Sequence, residues 1–358
     1  MDRTCDKVSA ERKAMTSRAR FALYAGFVIV LAGLGFDAPA AKAQSTAAEA
    51  ELAALVQAAK AEGEVTLYSA ASENVAKDVT QAFSAKYGIK AQYLRLSSNA
   101  LRQRYATEAQ AGNVAGDLLI MSPSAAFTDE GIAKGWIEPV SGAGIPALKS
   151  GAFPSRFATG PTAIVQLIPW SIGYNTDKVK GADLPKDWTD LLNPKFKSQI
   201  VLVDVAASDA YLDVWALILE KHGEQFFSRI RAQSPRVVGE GSSASQSVAA
   251  GEGFFVLPAT PQQVNVFRDK GAPIATIVPD LTTGVEISLY LTHRAKAKHP
   301  NAARLFAHYM LTPEGNAALN KGAGNISVFD TAQLPKQYQS PKPETAAEKD
   351  RIKKLLGL

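Results

Sequence analysis

Cysteine is almost missing from this chain. Its single copy, Cys5, falls in a stretch that reads as a removable leader. Without that stretch no thiol remains, which excludes disulfides and thiolate metal sites. The small-residue-plus-Cys junction of a lipoprotein is absent too. Long apolar runs are equally scarce. Residues 21–36 form an uncharged, mostly apolar run of 16, short of the ~20 that a membrane-spanning helix needs, and no other stretch comes closer. Charge asymmetry is also lacking. Residues 1–43 hold 7 of the 39 Lys+Arg and 4 of the 34 Asp+Glu, which leaves 32 against 30, a net of +2. The overall pI near 9.1 therefore owes much to the leader and gives no argument for nucleic acid. Catalytic signatures are missing as well. There is no G-x-S-x-G, no S-x-x-K with its companion motifs and no H-E-x-x-H. An enzyme is not expected, and a secreted αβ hydrolase is only a weaker alternative.

What is present begins with an address. Arg12, Lys13, Arg18 and Arg20 precede the apolar run, and Ala41-Lys42-Ala43 supplies a small-x-small cleavage pattern. Cleavage after Ala43 and a periplasmic location are expected. The start codon is Met1 or Met15. The remaining chain, 46% hydrophobic and 20% charged overall, has the composition of a globular protein with room for two lobes.

Periodicity then alternates. Leu52, Leu55, Val56 and Ala59 mark a helix over 49–62, stopped by Gly63. Strands come next at 65–68, 89–96 and 117–121, each leaving through a polar loop into a helix. The loops carry Ser69 and Ser72, then Ser97 and Ser98, then Ser122 and Ser124. Strand–loop–helix repetition implies mainly parallel sheets flanked by helices. Ligands in such sheets sit beyond the carboxyl ends of the strands, where hydroxyls and free N–H groups suit a polar or anionic group. Each serine could equally be a plain N-cap. Residues 139–161 read as a connection. A second αβ section comes after it, with strands at 200–204, 254–257, 274–278 and 286–292. A strong helix bears Leu305, Phe306 and Tyr309, and a last one spans 344–356.

Several segments carry a family resemblance. They are the opening helix–Glu-Gly–strand–Tyr-Ser, residues 93–104 (YLRLSSNALRQR), Gly173-Tyr174-Asn175-Thr176 read as a turn, and residues 188–196 (WTDLLNPKF). The tail adds His299-Pro300-Asn301 and Leu311-Thr312-Pro313-Glu314-Gly315. In this order they resemble the iron(III)-type branch of the type II periplasmic binding proteins, the solute-binding components of ABC importers. The resemblance implies α/β architecture: two lobes, each a mainly parallel sheet flanked by helices, joined by two hinge strands. One lobe would take 44–165 plus about 275–300 and the other 166–274, with C-terminal helices in 301–358 packing on both. The implied partners are a small-molecule ligand and a membrane permease. No nucleic acid, no cofactor and a monomeric state are expected.

Iron-binding members of that branch hold Fe(III) with adjacent tyrosines just after the strand that corresponds to 253–257. This chain has Ala259-Thr260-Pro261-Gln262-Gln263 there, and no Tyr-Tyr anywhere. An organic, anionic solute is therefore the expected ligand, with Fe(III) as the alternative. No metal site is expected from His293, His299 and His308, whose spacing is not that of a zinc helix. Besides the six serines, the candidate ligand groups are Arg102, Trp170, Ser171, Asp204, Ala207, Ser208, Ser242, Ser243, Thr260 and Glu286. Arg102 would clamp an anion, Trp170 would cover a ligand face, and Glu286 would suit a cation instead.

Overall fold

The computed structural model describes residues 38–358. The leader and its start codon lie outside the described residues, apart from positions 38–43. The chain divides into two compact units, Met1–Gln44 and Ser45–Leu358, and all strands among the described residues lie in the second.

The first half runs α1 (Ala38–Glu62), β1 (Glu64–Ser69), α2 (Glu73–Tyr87), β2 (Lys90–Arg95), α3 (Ser98–Gln110), β3 (Leu118–Met121), α4 (Ala125–Ala133), β4 (Ile137–Glu138), α5 (Pro146–Lys149) and β5 (Ala163–Pro169). Then come β6 (Ser171–Asn175), β7 (Ile200–Val203), α6 (Ala210–Ala232), β8 (Arg236–Val238), α7 (Gly241–Ala249), β9 (Phe255–Ala259), α8 (Pro261–Arg268) and β10 (Ile274–Ile277). The last part holds β11 (Leu281–Thr282), β12 (Gly284–Thr292), α9 (Pro300–Met310), α10 (Pro313–Leu319), β13 (Gln337–Tyr338) and α11 (Lys349–Leu356).

Two sheets organise these elements. The first has the order β2-β1-β3-β12-β4, with β5 also paired to β12, and the second has the order β10-β6-β9-β7-β8. The ladders β1–β2, β1–β3, β7–β8 and β7–β9 are parallel. Antiparallel β12, β4 and β5 extend the first sheet, and antiparallel β6 and β10 extend the second. This is the two-lobed α/β fold, each parallel ladder flanked by helices. The chain passes between lobes at Trp170, which separates β5 from β6, and at Thr283, which separates β11 from β12. These two passages are hydrogen-bonded together: Trp170 N donates to Thr283 O at 2.8 Å, and Thr282 Oγ1 donates to Trp170 O at 2.9 Å.

Each lobe has its own core. In the first, the Phe83 ring of α2 stacks on Phe306 of α9 with centroids 4.3 Å apart. α9 and α10 contribute their apolar faces to this core. In the second, Trp215 and Phe227 of α6 pack under β7 and β9, and Ile352 and Leu356 of α11 join them. Asp117, 1% exposed, ties the first lobe together. Its carboxylate accepts from Thr66 N at 2.8 Å, His299 N at 2.9 Å and His299 Nδ1 at 2.9 Å.

Local chemistry explains most boundaries. α2 stops at Gly88, which takes φ 70° and donates its N–H to Ser84 O, as a left-handed C-cap requires. α6 breaks at Gly223, where φ is 68°. Two sequence expectations shift. Gly173-Tyr174-Asn175 is not a turn but the body of β6, paired on both sides. A Cβ at Gly173 would sit 2.5 Å from Val256 Cγ1, so the residue is glycine for close strand packing. The last helix starts at Lys349 rather than 344, because residues Pro343–Glu348 form a tighter 3₁₀ turn first.

Candidate functional site

The three serine loops of the first lobe converge. Ser122 N donates to Ser98 Oγ at 3.1 Å, and Leu96 N donates to Ser69 O at 3.1 Å. Ser124 N donates to the Tyr290 hydroxyl at 3.2 Å. Two of the six hydroxyls serve as helix caps: Ser97 accepts from Ala100 N, and Ser124 from Phe127 N. Two others are left over. Ser72 stands at the N-terminus of α2 without capping it, and the fully buried Ser69 hydroxyl has no partner among the described residues.

Arg102 reaches into the same place. Its guanidinium donates to Ser122 O at 3.1 Å and to the Asn99 side chain. Burial lowers its pKa, while Tyr290 and Asp209 act in the opposite direction. Asp209 belongs to the second lobe, at the N-terminus of α6. The cation is thus partly desolvated, and its nearby charges do not offset the cost of that burial. An anionic ligand would. A nearby arginine, Arg95 at the end of β2, is exposed and donates to Ala71 O at 3.4 Å.

The second lobe brings together part of its set. Thr260 caps α8 with a reciprocal Gln263 contact. Gln263 Nε2 donates to the Tyr211 hydroxyl at 3.0 Å. Gly241 packs against both: a Cβ there would meet Gln263 Nε2 at 2.4 Å and Tyr211 Oη at 2.5 Å. The Tyr211 ring lies 4.9 Å from that of Trp170 at 33°. Trp170 is 2% exposed and its indole N–H has no partner among the described residues. Asp204 accepts from Ala206 N at 2.8 Å and Ser208 from Ala210 N at 3.3 Å, so both hold the loop into α6. Ala207 is exposed in that loop. Ser243 donates its hydroxyl to Glu240 at 2.9 Å, with Ser242 half-buried beside it.

Two candidates stand apart. Ser171 is fully buried and donates to Ala259 O at 2.8 Å. Glu286, 5% exposed, accepts from Tyr338 Oη at 3.1 Å on the tail side of β12. Sequence reasoning missed Tyr211, Gln263 and Asn99. Their signal was position alone, one to three residues past a strand-exit loop.

Three of the four histidines are accounted for locally; the fourth, His222, has a buried Nε2 with no partner among the described residues. His308 Nδ1 accepts from Ala147 N at 3.0 Å, and burial pushes its pKa down to about 4. His299 is bound to Asp117, and His293 Nδ1 accepts from Ala295 N at 3.2 Å. Among the described residues, no three His, Cys, Asp or Glu gather to hold a metal, and no helix is long and apolar enough to cross a membrane. Burial raises the Tyr211 pKa above its ordinary value, which keeps the phenol a neutral hydrogen-bonding group.

Known proteins share this architecture. Iron-bound HitA from Pseudomonas aeruginosa superposes with a TM-score of 0.63 at 19% identity, covering 82% of this chain and 99% of that one. The substrate-binding protein of an ABC transporter from Agrobacterium tumefaciens gives 0.66 at 14% identity, over 82% and 95%. AfuA from Actinobacillus pleuropneumoniae, with exogenous fructose-6-phosphate bound, gives 0.60 at 18% identity, over 82% and 97%. Residues 117–355 match the sequence profile of one family, described as bacterial extracellular solute-binding protein, and the chain belongs to that family.

Proposed function

We propose that this protein is the periplasmic receptor of an ABC importer and that it captures a small anionic organic solute between its lobes. The observation that carries the reading is Arg102. It is a partly desolvated guanidinium at the junction of two serine loops, within electrostatic range of Asp209 at the start of α6. Ser69 and Ser72, on the neighbouring loop between β1 and α2, supply hydroxyls with no partner among the described residues. Tyr211, Gln263 and Thr260 supply the opposite wall. The protein works as a monomer without a cofactor and hands its ligand to a membrane permease. Residues 1–43 direct it to the periplasm and are then removed.

The sugar phosphate in AfuA and the iron in HitA mark the range of ligands among structural neighbours. The neutral phenol of Tyr211, and glutamines where a tyrosine pair would stand, favour the organic anion.

The test is a thermal-shift panel of organic acids, phosphorylated compounds, polyamines, sugars and Fe(III). A ligand at 100 times its Kd should stabilise the protein by about 2.7 kcal/mol. One anionic class should raise the midpoint, and Arg102→Ala should weaken its binding roughly 10- to 100-fold, as loss of a charged hydrogen bond implies. A response to Fe(III) alone would overturn the reading.

A further inference from the structure

A cavity of about 340 Å³ lies on the tail side of the hinge, within the size range of small-molecule sites. Its walls come from three parts of the chain: α6, the hinge residue Thr283, and residues 339–351. Ala216, Leu217, Leu219 and Pro341 make it apolar on one side. Two polar groups line the other side. Thr283 is 2% exposed, and its hydroxyl has no partner among the described residues. Asp213 is the second. The charges acting on it are those of Glu286 on β12 and Asp209 on α6, both negative, and its one hydrogen-bonding partner is Thr345. Both basic groups in the lining have carboxylate partners. Lys342 Nζ pairs with Glu220 at 2.6 Å, and Arg351 pairs with Glu224 and Glu348 at 2.9 and 3.1 Å. Tyr338 donates to Glu286, and Asp209 pairs with Lys349 Nζ at 3.1 Å.

We propose that this cavity is a second ligand site, separate from the cleft, which takes a small organic cation with an apolar body. The ammonium sits between the Asp213 carboxylate and the Thr283 hydroxyl, and the hydrocarbon lies on Leu217, Leu219 and Pro341.

The electrostatics fit this occupant. Burial, with Glu286 and Asp209 adding to it, pushes the Asp213 pKa up to about 7. The unfolded chain loses that proton near pH ~4. The fold therefore binds the extra proton between those values, and this group's contribution to stability declines as pH rises from about 4 to about 7. A bound cation relieves that cost by favouring the ionised form.

The experiment is calorimetric titration of the purified protein with n-hexylammonium, n-hexanol and hexanoate, at pH 8 and pH 6. The ammonium keeps its charge at both values. It should bind, and about tenfold more weakly at pH 6, because only the ionised fraction of Asp213 is competent. Hexanol and hexanoate should bind far less. Asp213→Asn should remove at least tenfold in affinity and abolish the pH dependence, and Thr283→Val should weaken binding several-fold. The wild-type pH comparison stands even if a variant fails to fold. No binding at millimolar ammonium, equal binding of hexanol, or unchanged binding by folded Asp213→Asn would each overturn the proposal.

Discussion

Replacing Asp117 with alanine should cost about 3–5 kcal/mol of stability, read as a lowered urea midpoint with an unchanged slope. The carboxylate is buried, and it joins three pieces of chain that are far apart in sequence: Thr66 on β1, β3 through its own backbone, and His299 at the start of α9. Removing it strands two backbone N–H groups, each worth roughly 1–3 kcal/mol when buried unmet. It also frees the His299 ring. Asp117→Asn retains one acceptor oxygen and should lose less. If alanine were tolerated within 1 kcal/mol, roughly a surface-level effect, the first lobe would have to be held by its apolar core alone.

Trp170→Ala should be as costly, about 3–5 kcal/mol, because a large ring is deleted from a closed site. It should also weaken ligand binding by more than about 1 kcal/mol, since its loss removes the support beneath Tyr211. The two effects separate by control. Trp170→Phe keeps a ring against Tyr211 but has no indole N–H, so it should recover most of the stability. If it also recovers the affinity, stacking is the whole contribution. If affinity stays low, the unpartnered N–H reaches the ligand. A Trp170→Ala protein with wild-type unfolding would show that the ring does not carry the hinge.

The fold was largely legible because its signals are repetitive. Apolar runs of four or five residues ending in small polar loops mark β3, β7 and β9, a β-rich run marks β1, and 3.6-residue periodicity marks α2 and α9. Elements shorter than one period left no such trace. β11 and β13 have two residues each, and β8 has three with no alternation to read. Gly173 looked like a turn because glycine and asparagine favour turns. Its reason lies in Val256 on a strand about 80 residues away, which no local reading can reach. The site was legible by place more than by role. The serine loops do meet, but Ser97, Ser124 and Ser208 spend their side chains on backbone N–H groups. Arg102 could be nominated from its place in the second turn of α3, but its burial could not be read there. Glu286 looked like a ligand contact because it is a carboxylate on a late strand, yet its partner is a tail tyrosine.

The chain passes between the sheets three times: at Trp170, at Thr283, and again in the tail that runs from the first core to α11. An odd number of passages places α1 against one lobe and α11 against the other. A donor dye near exposed Ala48 and an acceptor after Leu358 would therefore sit on different bodies. Any rotation about the hinge would change their separation, so the polypeptide's own path makes the two ends of the described chain a built-in ruler for energy-transfer measurements.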